Sequence, residues 1–229
     1  MKARAAKTPE LGLREQNKLQ TRQRIQSAVR ELFSKHGYDD ATLRGIAKRA
    51  HVGLGTLFNY AGDKRDLVFL IVNEELEEVT AQALNAAKRR RSLIEQLMAI
   101  FRCHYNYFAR NPVLSRIVLR ELVFYSSGKQ AEKFHEIRQR LMAAIEGLVR
   151  EAQEARRIRP REDAPLIARH IFFTFSAAVR WWIATPHPDP RTGLKDLRRL
   201  IQLQIRGLQP KGRSSSALPL NLRCSRLNS

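Results

Sequence analysis

The sequence predicts an all-α fold of about nine helices, three short ones at the N-terminus and longer ones after them. Two observations predict it. Apolar residues recur at steps of three and four along most of the chain, with no strand-like alternation and no internal repeat. Capping residues, glycines and prolines interrupt that pattern where helices should begin and end. A third observation concerns partners. Lys and Arg outnumber Asp and Glu by 42 to 22, a net charge of +20. That excess favours an anionic partner, such as nucleic acid, an acidic membrane surface or an acidic protein, and nucleic acid is the expected one.

The elements follow in order. In "RIQSAVRELFSKHGY", Ile25, Ala28, Val29, Leu32 and Phe33 form one helical stripe, which Gly37 ends. Asp39, Asp40 or Thr42 can cap the next helix, "TLRGIAKRA", which carries Leu43, Ile46, Ala47 and Ala50 inward. A break at His51 leads into a second brief helix, "GLGTLFNY". Asp63 caps a longer one reaching about Leu84, and the basic run over 88–91 reads as a solvated loop. Ser92 caps the next, to Arg110. Asn111-Pro112 starts another that ends near Ser126-Ser127-Gly128. A long helix spans about Gln130 to Arg156. Asp163 with Pro165 opens one that ends at Ala184. "TPHPDPRTG" reads as a loop, because its prolines oppose regular structure. The last helix runs from about Thr192 to Leu208, and the basic, Ser-rich tail beyond reads as disordered.

A short helix, a tight break and a second short helix describe a helix-turn-helix, whose second helix enters the major groove of DNA. Gly53 and Gly55 at its start allow close backbone approach, and a helix N-terminus attracts phosphate. The residues "ATLRGIAKRAHVGLGTLFNYAGDKRDLV" resemble the DNA-binding domain of the TetR/AcrR family of bacterial transcriptional repressors. The likeness rests on Thr42, Ile46-Ala47, Ala50-His51-Val52, Gly55-Thr56-Leu57-Phe58, Tyr60, Lys64 and Leu67, with the preceding "RIQSAVRELFSKHGYDDAT". It covers about 47 residues; the rest of the chain is similar only in helix pattern and length. Three positions depart from the family pattern. His51 stands for a turn glycine, Ala61 for phenylalanine and Gly53 for serine or threonine. Histidine tolerates the left-handed region, so the turn survives the first change.

The resemblance implies a ligand-responsive repressor that binds a palindromic operator as a homodimer and is released by a small organic effector. Thr42, Tyr60 and Lys64 would touch phosphate. Arg44, Gly53, Leu54, Thr56, Phe58 and Asn59 would face bases or neighbouring phosphates. Asparagine can pair with adenine, and Leu54 or Thr56 can pack on a thymine methyl. Leu57 reads as core, and Phe58 as either core or groove. Arg22 and Arg24 either reach DNA or belong to a solvated arm. The expected division is a basic flexible arm over 1–17, a DNA-binding domain over 18–78 with the helix-turn-helix at about 42–61, a helical body over 79–209, and the tail.

Within the body, segment 171–184 is apolar nearly all round and should be buried on more than one side. By resemblance it joins the last helix in a four-helix subunit interface. Phe173, Ala177 and Trp181 are the contacts expected from the first, with Leu197, Leu200, Ile201, Gln204 and Leu208 from the second. The body is also aromatic. Phe101, His104, Tyr105 and Phe108 share a helix; Phe124 and Tyr125 follow, and Phe172, Phe175 and Trp182 come from the late helix. Rings with a few polar tips suit an effector pocket, and equally suit plain core. The expected effector is aromatic or amphipathic.

Other classes are less favoured. Cys103 and Cys224 lie far apart and form no disulfide or metal pattern, which suits a reducing compartment. Cys103 beside His104 is a poor dyad, since neighbours on a helix point about 100° apart. Neither an enzyme nor a cofactor or metal site is expected. The N-terminus has no apolar core, and segment 171–184 is shorter than the roughly 20 residues of a membrane span and contains Arg180. A cytoplasmic protein without a membrane partner is expected. An architectural DNA-binding protein without an effector is the standing alternative.

Overall fold

The structure, a computed structural model, describes residues 12–90, 92–159 and 161–208. Among them are nine α-helices and one 3₁₀ turn, with no strand. The tail expected over 210–229 lies outside the described residues, as does 1–11 of the expected arm. The arm's residues 13–17 are helical instead.

Helix α1 is Leu13–Asp40, with Gly37 at φ 78° kinking the chain three residues before its end. It starts well before the amphipathic stripe. Residues 13–24 carry good helix formers and no glycine or proline, but almost no buried side chain, so periodicity gives no sign of them. The stripe itself, Ile25, Ala28, Val29 and Phe33, is buried. Helices α2 (Leu43–Arg49) and α3 (Leu54–Tyr60) are seven residues each. Thr42 caps α2, its hydroxyl accepting from the Gly45 N–H at 3.0 Å.

Helix α4, Lys64–Lys88, is capped by Asp63, which accepts from the Asp66 N–H at 2.7 Å. It extends a turn past the expected end near Leu84. Leu67 through Val72 are each no more than 1% exposed. Six consecutive buried residues leave no solvent face, because α4 packs on α1 at one side and on α5, α6 and α7 at the others. It therefore belongs to both the N-terminal head and the body.

Three local caps shape the body. Ser92 opens α5 (Leu93–Arg110), accepting from Glu95 N–H. Asn111 accepts from Leu114 N–H at 3.1 Å and Pro112 occupies the first turn of α6 (Pro112–Glu121). A 3₁₀ turn, Leu122–Phe124, follows, then α7 (Ala131–Glu154) and α8 (Ala164–Ile183). The last helix, α9 (Pro190–Gly207), begins inside the stretch expected to be loop. Asp189 accepts from the Arg191 and Thr192 N–H groups, and Pro190 takes the first position, where a missing N–H costs nothing.

Helix α9 closes on α5 and α8 through Gly193. A Cβ there would lie 2.6 Å from both Trp182 Cδ1 and Tyr105 Cε1. Gly193→Ala is expected to lower unfolding free energy by about 1–3 kcal/mol through overpacking. Chemical denaturation at neutral pH measures it, and an unchanged midpoint would refute this packing.

Candidate DNA-binding surface and effector cavity

Three elements carry the DNA-facing candidates. The turn from α2 to α3 is closed by His51 N–H to Lys48 O at 3.2 Å and Val52 N–H to Ala47 O at 3.0 Å. His51 adopts φ 53°, the left-handed conformation that the family's glycine would supply. Leu57 is fully buried and anchors α3, while Gly55, Thr56, Phe58 and Asn59 face outward. Phe58 is 39% exposed, which resolves it as surface rather than core. Leu54 is half-buried against the core, and Arg44 is exposed on α2. A Cβ on Gly55 would meet nothing within 4 Å. The fold does not require glycine there, and glycine in an exposed helix costs about 1 kcal/mol against alanine. Its place on the outward face fits close approach by another molecule.

Three residues expected at phosphate have internal bonds. Thr42 is occupied as the α2 cap, though exposed. Tyr60 donates its hydroxyl to Lys18 O at 3.1 Å. Lys64 Nζ donates to Asp39 O at 2.9 Å and Ala41 O at 3.2 Å, and lies 4.7 Å from the Tyr38 ring centroid. Lys64 thus finishes the carbonyl end of α1. Sequence offers no sign of this, since the carbonyls lie 23 and 25 residues away.

Where α3 meets the body, the buried carboxylate of Asp66 collects four donors. Gly62 N–H and Lys129 N–H each lie at 2.8 Å, Gln130 N–H at 3.2 Å, and the Tyr125 hydroxyl also donates. Burial works to raise the Asp66 pKa, but the Tyr125 and backbone donors outweigh it and hold the carboxyl below its ordinary value. Lys129 Nζ donates to Phe58 O, and Gln130 Nε2 to Tyr60 O at 3.0 Å. Sequence separations of 70 residues or more hide these bonds from pattern reading.

The nine aromatic and histidine candidates divide into three groups. His104, Phe108, Phe172 and Phe175 line a narrow cavity of about 80 Å³ among α4–α8, joined by Leu76, Leu119, Leu122 and Phe134. Phe101 stacks on Phe175 from behind, with centroids 4.5 Å apart. Tyr105 and Trp182 belong elsewhere: their rings pack at 4.6 Å, and Trp182 Nε1 donates to Asp189 O at 2.9 Å, joining α5, α8 and α9. Phe124 and Tyr125 lie outside that cavity. Phe124 is 81% exposed, and Tyr125 is committed to Asp66 and to a stack on Phe69 at 3.8 Å. His104 is buried, with Nδ1 3.0 Å from Ile100 O, and burial lowers its pKa.

Sequence reading missed an open cleft of about 700 Å³ on the other side of that cavity wall. Arg65, Arg116, Arg120 and Arg180 line it with Val123 and Phe124. Arg65 and Arg120 pair with Glu121, and Arg116 donates to Ile183 O and Thr185 O. Arg180 lines both the cleft and the cavity. Its guanidinium donates to Leu119 O and Ser176 O, no carboxylate pairs with it among the described residues, and burial lowers its pKa.

The expected interface residues also divide. Phe173, Ala177, Trp181 and Leu200 face outward, with Trp181 84% exposed. Leu166 and Leu203 extend that apolar surface, unpredicted. Leu197 and Ile201 are fully buried within the protomer. Gln204 bonds Thr174 of the same chain, and Leu208 packs half-buried on the core. Helix α9 turns the 197/201 stripe inward, leaving the 200/203 stripe outside.

Among the described residues no group of His, Cys, Asp and Glu could hold a metal ion, and no helix is long and apolar enough to cross a membrane.

A recognition helix presented by α1, α2 and α4, with a helical body behind it, defines a helix-turn-helix transcriptional regulator. Residues 25–71 match the model for bacterial regulatory proteins of the tetR family, and residues 90–185 match that for a tetracyclin repressor-like C-terminal domain. The chain belongs to the TetR family of DNA-binding transcriptional regulators. It is 23% identical over 187 residues to the fatty acid metabolism regulator protein of Bacillus subtilis, covering 82% of this chain and 94% of that one. It is 27% identical over 198 residues to the transcriptional repressor KstR of Mycolicibacterium smegmatis, covering 83% and 90%. Among solved structures, Thermus thermophilus FadR in complex with lauroyl-CoA aligns with TM-score 0.64 at 23% identity, over 86% of this chain and all of that one. Bacillus subtilis FadR in complex with stearoyl-CoA aligns with TM-score 0.62 at 20% identity, over 82% of this chain and 99% of the other.

Lys64 and Asn59 should differ on substitution, the first losing stability and the second losing DNA affinity alone. Lys64→Ala is expected to cost about 1 kcal/mol of stability through the lost carbonyl bonds. Asn59→Ala should leave stability within about 0.5 kcal/mol of wild type and weaken binding to the gene's own promoter DNA. Denaturation and fluorescence anisotropy at fixed salt separate the two; equal melting with equal DNA affinity would contradict both assignments.

Proposed function

We propose that the protein is an effector-released repressor that binds a palindromic operator as a homodimer. Its effector would be an amphipathic organic molecule with an apolar tail and an anionic head, of the fatty acyl-CoA class. The observation that carries the effector class is Arg180. A partly buried cation without a carboxylate is costly, and this one stands between an apolar cavity and an arginine-lined cleft. A tail in the cavity and a phosphate-bearing head in the cleft would satisfy both sides. The acyl-CoA complexes of two similar folds support the same class.

The space in the cavity, about 80 Å³, is far below the roughly 300–1,000 Å³ of an ordinary ligand site. A tail would therefore have to displace the walls. That requirement gives the two liganded states different geometry, which linkage needs if effector is to lower DNA affinity. The outward surface of Phe173, Ala177, Trp181 and Leu200, extended by Leu203, would be covered in the dimer. Its small residue Ala177 permits close helix approach. The DNA contacts would come from the outward face of α3, from Arg44, and from the Thr42, Tyr60 and Lys64 side of the head.

The test is titration of a promoter–protein complex with lauroyl-CoA, coenzyme A and lauric acid. Lauroyl-CoA is expected to lower DNA affinity at least tenfold, a coupling of about 1.4 kcal/mol, while the two fragments act weakly. Arg180→Gln should blunt the response. Indifference of the wild-type complex to lauroyl-CoA, or equal release by coenzyme A alone, would refute this effector class.

A further inference from the structure

A seven-residue helix leaves its last carbonyls without partners of its own. Among the last four carbonyls of α3, that of Leu57 is taken locally, by the Ala61 N–H at 3.1 Å. The carbonyls of Phe58 and Tyr60 are taken from the body, by the side chains of Lys129 and Gln130. Those two residues sit in the turn between the 3₁₀ segment and α7. The turn is tied down by Asp66, which accepts from its Tyr125 hydroxyl and its Lys129 and Gln130 N–H groups, and from Gly62 just beyond α3. Asn73 Nδ2 adds a bond to Gln130 O at 3.0 Å. Gly128 lets the turn pass over the carboxylate. Its φ is 140°, and a Cβ would lie 2.3 Å from Asp66 Oδ1.

We propose that residues 125–130 form a clamp that positions the recognition helix from the body, with Asp66 as its positioning residue, and that effector acts on DNA binding by opening it. The regulatory half rests on the effector reading above; the positioning half stands without it. The cavity walls connect directly to the clamp. Phe134, in the first turn of α7, lines the cavity and packs on Tyr125 and Phe69 with centroids 5.9 and 4.8 Å away. Leu119 and Leu122 line the cavity on the segment that leads into the turn. Displacing either wall moves an end of the clamp. Each end bears on Asp66 or on the carbonyls of α3.

The experiment compares full-length wild type with Asp66→Asn, Gly128→Ala and Lys129→Met. Hydrogen exchange of the free proteins is the first readout. All three variants are expected to speed exchange in 57–62 by about tenfold or more, the loss of one charge-assisted bond, with α5 and α8 unchanged. Affinity for the promoter is the second, with and without lauroyl-CoA. The ratio of the two affinities should fall towards one in Asp66→Asn and Gly128→Ala. Lys129→Met removes only one side-chain bond and keeps the test valid if the buried substitutions unfold the chain. Unchanged exchange in 57–62 would overturn the positioning role. Faster exchange with a wild-type response ratio would overturn the regulatory role. If wild type itself ignores lauroyl-CoA, the effector reading and the regulatory half fail together, while exchange still decides positioning.

Discussion

A helix of two turns does not hold itself in water; its stability must come from what it packs against. That constraint falls on α3, and much of the head is arranged to meet it. Leu57 is fully buried beneath it, the His51 turn sets its entry, and Lys129 and Gln130 complete its carbonyl end. Lys64 performs the same service for α1, on which α2 packs. The outward residues Gly55, Thr56 and Asn59 are left without structural duties, as a groove-reading surface requires.

Since α3 borrows its stability, it also inherits the position of its lenders. Helix α4 starts at the head and continues through the body, buried on every side over six residues. The turn before α7 reaches the head directly. Under the proposed effector reading, a body that rearranged around its cavity would carry α3 with it. The small cavity and the half-buried Arg180 would fit the same logic, because an effector site that must open to be filled ties occupancy to shape.

The order of helices is legible in the sequence because its signals are local. Thr42, Asp63, Ser92 and Asn111-Pro112 each cap the helix they immediately precede. The head is legible in detail because its offsets are fixed over a short span, down to the left-handed backbone at His51. What sequence conceals is orientation and long-range pairing. On α9 the pattern sets Leu194, Leu197, Ile201, Ile205 and Leu208 on one stripe, but periodicity does not say whether a stripe faces the protomer core or a partner; the structure turns Leu197 and Ile201 inward and leaves Leu200 and Leu203 outside. Phe124 and Tyr125 are neighbours of similar character, yet one is solvent-facing and the other closes on a carboxylate 59 residues away. The polar first half of α1 lacked periodicity altogether, since it buries almost nothing.

The central claim is that the body dictates where the recognition helix stands. In the proposed dimer it is tested most directly by the distance between the two recognition helices, read by electron–electron double resonance. The spin label would be placed at Lys48→Cys, after both native cysteines are replaced by serine. Adding lauroyl-CoA is predicted to move the distance distribution away from the spacing of half-sites one DNA turn apart, about 34–36 Å centre to centre. Release of promoter DNA with the distribution unmoved would contradict the account.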